Sequence, residues 1–199
     1  MDQMHITGVS NGGIFQWYML ATQPDFMGNQ IAYFQKKNEG RAHNVKPGFF
    51  SGFASINPVA ASPLLGYGPP PGSNQLMDIS ILDFHGLEDG TIPYNVSTPG
   101  CVGMGPHNTL ISYDGYYYED KVTILERWAE AMHCEQEESH YPTTFDGERG
   151  FACLERKCAL DNSMVRCTAN YGHGYPLWHI SHRAAADIAW NFMKNHPKT

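Results

Sequence analysis

Met4-His5-Ile6-Thr7-Gly8-Val9-Ser10-Asn11-Gly12-Gly13 is a short apolar run that passes directly into a G-x-S-x-G signature. In that pattern a serine occupies a strained strand-to-helix turn, and glycines on either side keep side chains away so that its hydroxyl projects outward. Residues 4–9 therefore read as a buried strand. Gly12–Gln23 reads as a helix, ending before Pro24 and apolar on most faces through Ile14, Phe15, Trp17, Tyr18, Met19 and Leu20. Only nine residues precede Ser10, whereas an elbow strand normally follows several others. The expectation is an incomplete sheet whose N-terminal strands are missing and whose elbow strand has an unpaired edge.

Further along, residues 27–48 turn polar and lose periodicity around Lys36-Lys37-Asn38-Glu39-Gly40-Arg41, as a surface insertion would. Residues 49–60 fit a second strand, and 63–73 are a Pro/Gly-rich loop. Ile79-Ser80-Ile81-Leu82-Asp83-Phe84 is the clearest strand and stops at His85-Gly86. Residues 97–115 are turn-rich. A helix is predicted over 118–132 with Val122, Leu125, Trp128 and Ala129 inward, a strand over 165–169, and a closing helix over 182–195 burying Ala185, Ile188, Ala189, Phe192 and Met193. Strands alternating with helices predict an α/β fold, a mainly parallel sheet with helices on both faces.

The 199 residues suit one domain, 1–199, without a linker or repeat. No segment is apolar for long enough to insert into a membrane. A formal charge of -7 and the lack of basic clusters argue against nucleic acid or an anionic membrane as partner. A neutral or weakly polar substrate fits better. Four of the five cysteines lie within 134–167, which suggests disulfides and hence an oxidising compartment; the expected partner of Cys134 is Cys153 or Cys158, with one cysteine left over. Spacing for a zinc site is absent, so no metal and no cofactor is expected. Asn95-Val96-Ser97 is an N-glycosylation sequon, and residues 1–13 carry no signal-peptide pattern.

A serine hydroxyl needs a histidine to take its proton, and the histidine needs a carboxylate to orient it and stabilise its charged form. With Ser10 as candidate nucleophile, the acid should follow the carboxyl end of a parallel strand. Asp89, a few residues beyond Phe84, fits; Asp83, inside the strand, and Glu88 are the competitors. For the base, His173 follows a predicted strand, sits between Gly172 and Gly174, and precedes the last helix. His179 and His182 are the alternatives. The chain order serine, acid, histidine matches the elbow pattern.

Three segments carry a resemblance: Ile6 to Gly13, Phe84-His85-Gly86-Leu87-Glu88-Asp89-Gly90-Thr91-Ile92-Pro93-Tyr94, and Gly172-His173-Gly174-Tyr175-Pro176. They resemble the polyhydroxybutyrate depolymerase and feruloyl esterase-like family of secreted α/β hydrolases, whose C-terminal portion the chain spans. Arg127-Trp128-Ala129-Glu130 with Cys134 soon after also resembles the family's helix between acid and histidine. The resemblance implies the α/β-hydrolase fold, secretion, and Ser10, Asp89 and His173 as nucleophile, acid and base in ester hydrolysis. The backbone N–H of Asn11 would hold the oxyanion, and a second donor, from an earlier strand, would be missing. Tyr175 replaces the family's usual tryptophan and would line the substrate site. Alternatives in view are a prolyl-oligopeptidase-like peptidase and an inactive fragment or binding module.

Overall fold

The computed structural model describes residues 6–9, 53–56, 80–143, 150–173 and 184–196. Six strands form one sheet: β1 (Ile6–Val9), β2 (Phe53–Ile56), β3 (Ile81–Gly86), β9 (Ser163–Ala169), β8 (Ala152–Lys157) and β7 (Ser139–His140), in that spatial order. The pairings from β1 through β2 and β3 to β9 are parallel, and those of β9 with β8 and β8 with β7 are antiparallel. A separate antiparallel sheet is made by β4 (Cys101–Met104), β5 (Leu110–Ser112) and β6 (Tyr117–Tyr118). Two α-helices complete the described elements, α1 (Lys121–Ala131) and α2 (Ala184–Asn195).

This corrects the expected α/β-hydrolase fold with a mainly parallel sheet and helices layered on both faces. Among the described residues the large sheet is mixed, the small one is wholly antiparallel, and nine strands stand against two α-helices. The reason lies in short connections. A parallel pairing needs a crossover of a dozen or more residues, whereas only residues 158–162, with a 3-10 turn over Ala159–Asp161, separate β8 from β9. That link can close only an antiparallel pair. The strand β8 was not anticipated because one of its inward residues is Glu155, satisfied by Ser163 Oγ at 2.6 Å and Lys157 Nζ at 2.7 Å. A buried carboxylate disguises the alternation that marks a strand.

Where patterns were strong, local structure follows them. The Asp120 carboxylate accepts the Thr123 N–H at 3.0 Å and starts α1. Ile124, Leu125, Trp128 and Ala129 are buried along its inner side, while Val122, expected inward, is 41% exposed. The helix α2 buries Ala185, Ile188, Ala189 and Phe192, with Met193 partly covered. Leu82 and Phe84 of β3 join α2, Phe151, Val165 and Cys167 in one core, each large side chain contributing about 1.5–3 kcal/mol. By strand alternation Asp83 and His85 face the other way, toward α1.

Cys153 and Cys167 stand opposite each other on β8 and β9 and are joined by a disulfide; a second links Cys134, just beyond α1, to Cys158. Of the two expected partners for Cys134, Cys158 is the one found, and Cys101 is free. Such bonds form and persist in oxidising environments. Among the described residues no helix is long and apolar enough to cross a membrane. The expected helix at 12–23, the insertion at 27–48 and the loop at 63–73 lie outside the described residues.

Candidate active site

Parallel strands β3 and β9 lie side by side and deliver their chain ends to the same edge of the sheet, Gly86 pairing with Ala169. Gly86 is where the backbone turns out of β3. A Cβ at this position would overlap the carbonyl oxygen of Tyr171 and come within 2.9 Å of its ring, so only glycine fits. The next two residues dock on the outlet of β9, with Leu87 N–H donating to Ala169 O at 2.9 Å and Glu88 N–H to Tyr171 O at 3.1 Å. The loop that follows is thereby pressed against the segment leading to His173.

Asp89 is fully buried in that loop. Its Oδ1 accepts the N–H groups of Thr91 at 3.0 Å and Ile92 at 2.9 Å. Its Oδ2 accepts from His173 Nδ1 at 3.0 Å. Two backbone donors on one oxygen orient the carboxylate, leaving the other oxygen aimed at the imidazole. The hydrogen bond it donates to Asp89 is the main reason His173 holds its proton above the ordinary histidine range, against partial burial, with the charges of Asp89 and Asp114 helping. With Nδ1–H engaged, the neutral ring carries its lone pair on Nε2. The side chain of His173 is 27% exposed, so an incoming group can reach it.

Glu88, one competitor for the acid role, is exposed, and Asp83, the other, is buried in β3 and ion-paired with Lys121 at 2.9 Å. Among these three carboxylates, Asp89 is the one hydrogen-bonded to His173. Val9, the last residue of β1, is in register with Ile56 and through it with Phe84. It stands at the same sheet edge, two strand spacings or about 10 Å from β3. Ser10, Asn11, Tyr175, His179 and His182 lie outside the described residues.

Several neighbours were not singled out from sequence. His85, fully buried, donates Nε2–H to Ile92 O at 3.1 Å and meets Tyr94 edge to face at 4.9 Å. Burial first, then the charge of Lys121, holds its proton affinity well below the ordinary range. Thr91 Oγ1 and Tyr113 Oη share a hydrogen bond of 3.3 Å, tying the β5–β6 turn to the loop that carries Asp89, the candidate acid. Tyr118 is pushed up to about 12 by burial, then by the charges of Asp114 and Asp89. Turn residues and a lysine opening a helix have no motif that would have marked them. Among the described residues, no group of three or more His, Cys, Asp or Glu side chains converges as a metal centre would. No protein-family model matches the chain, and no curated protein matches it.

Proposed function

We propose that the chain is a serine-dependent carboxylic ester hydrolase working through Ser10, His173 and Asp89. The observation that carries the reading is the hydrogen bond of 3.0 Å between His173 Nδ1 and a fully buried, backbone-anchored Asp89. A histidine so oriented takes a proton at Nε2 and is stabilised once charged. In the proposed reaction the Ser10 hydroxyl gives its proton to Nε2 and its oxygen attacks the ester carbonyl. The Asn11 N–H supports the oxyanion, the alcohol leaves with the proton from His173, and water then releases the acid from the acyl-enzyme. The resemblance of the segments around Ser10, Asp89 and His173 to polyhydroxybutyrate depolymerase and feruloyl esterase-like enzymes supports an ester substrate, small or polymeric. Two disulfides and the sequon at Asn95 support secretion.

Labelling with a fluorophosphonate tests the nucleophile. Ser10 is expected to be modified in the intact chain and labelling to vanish in Ser10→Ala; no labelling of the intact chain, or labelling that survives the substitution, refutes the proposal. A panel of p-nitrophenyl esters beside peptide anilides separates an esterase from a peptidase.

A further inference from the structure

We propose that Asp83 and Lys121, neither of which touches the reacting atoms, are a buried positioning pair that holds the acid loop in register and sets how tightly His173 keeps its proton. The inference rests on the reading of Asp89 and His173 as acid and base. Lys121 Nζ meets Asp83 Oδ1 at 2.9 Å with both side chains almost wholly buried, 1% and 2% exposed. The site is an unfavourable one for a cation. Lys121 is the first residue of α1, where the helix dipole already presents positive charge, and burial removes its hydration. Replacing such a pair by apolar side chains often leaves stability unchanged or raises it, so packing alone does not explain its presence.

Its connections do. Asp83 lies in β3, the strand that leads into the acid loop, and the Lys121 backbone N–H donates to Tyr94 O at 3.2 Å, at the loop's far end. His85, between them, holds Ile92 O. One cluster thus grips the loop around Asp89 on both sides. Charge points the same way. Burial loosens the Lys121 ammonium's hold on its proton, and the charge and hydrogen bond of Asp83, then the charge of Asp89, oppose that loss, so Lys121 feels the Asp89 loop as well as its ion-pair partner. A positive charge at Lys121 opposes, and a negative charge at Asp83 favours, a second positive charge on His173. Asp89 favours imidazolium, the form that appears as the serine loses its proton, and the Asp83–Lys121 pair trims that preference from behind the loop. Among the described residues, the groups facing His173 include Asp89 from the acid loop, Asp114 from the β5–β6 turn and His85 from β3. Around Asp83 they are Lys121, Tyr94 and, in register on β9, Arg166.

The test is an NMR titration of the His173 imidazole, assigned by loss of its signal in His173→Gln and read without substrate. Lys121→Met should raise the midpoint by about half a unit to one unit, Asp83→Asn should lower it by a similar amount, and the double variant should return it toward the parent value. The acid limb of ester hydrolysis should move in the same order, with kcat down about tenfold or more in Lys121→Met and KM little changed. Folded variants that all titrate at the parent midpoint overturn the proposal and leave a merely structural pair. If Lys121→Met, with its unpaired carboxylate, does not fold, the test passes to the other two: a lowered midpoint in Asp83→Asn that the double variant reverses upholds it, and an unmoved midpoint in both overturns it. Absence of esterase activity in the parent refutes the proposed reaction and leaves this titration readable.

Discussion

The two oxygens of Asp89 have different partners, and that division organises the site. One is held by the Thr91 and Ile92 N–H groups, so the other has a fixed direction when it accepts from His173. Asp89→Asn keeps the shape but offers the imidazole an amide and removes its counter-charge. Ester turnover should fall by about 10³- to 10⁴-fold, as expected for loss of the correct tautomer. The His173 titration should also move down, because the interaction that raises it is gone; NMR and steady-state kinetics check both. In the proposed reaction the neutral imidazole is the base, so activity should rise with pH through a midpoint above the usual histidine value of about 6.5. Gly86 is equally constrained by contact with Tyr171. Gly86→Ala should destabilise by about 1–3 kcal/mol, because backbone must shift to admit the methyl, and should slow the ester reaction through Asp89. Urea unfolding with parallel kinetics reads the two effects separately.

Strands β8 and β9 are locked by a disulfide between directly opposed residues, and α1 is tied to the connection between them by the second. Removing the first with the pair Cys153→Ala and Cys167→Ala should cost about 2–4 kcal/mol, measured by denaturant unfolding against the oxidised parent. Charge adds to this framework on the α1 side, where Arg156 makes bonds of 2.8 and 2.5 Å to Glu126, and Arg166 bonds of 2.8 and 2.6 Å to Glu138. These partly exposed pairs are each worth about 1 kcal/mol or less. Helices were the elements most legible in advance. Trp128 and Phe192 recur at helical spacing with their neighbours, and both are fully buried. The small sheet was not legible: its strands are two to four residues long, and pairings that short are made by turns and partners rather than by an alternating run of their own.

At the scale of the whole molecule, two histidines oppose each other in the pH dependence of folding. His85 is kept neutral by burial; below about pH 6.5 the unfolded chain binds a proton that the folded chain refuses, and stability falls. His173 has the opposite sign. Its raised proton affinity stabilises the fold fully below about pH 6.5, a contribution lost as pH rises through the folded value. His85→Gln should therefore lessen the loss of stability on acidification and His173→Gln should steepen it; denaturant unfolding at pH 5 and pH 8 decides, and unchanged pH slopes contradict the assignment. Local features were readable along the chain: the apolar run of β3, the side that α2 buries and most of the one that α1 does, and the glycines around Asp89 and His173 that single those residues out. Such patterns reflect short-range chemistry, in which spacing and backbone freedom are readable along the chain. Long-range packing, by contrast, set the antiparallel return of β8 on β9, the bond of Cys134 to Cys158, and the place of Lys121 under the acid loop against Asp83. Those outcomes depend on which distant segments meet, and contacts across 38 residues, as between Asp83 and Lys121, leave no periodic trace in either segment alone.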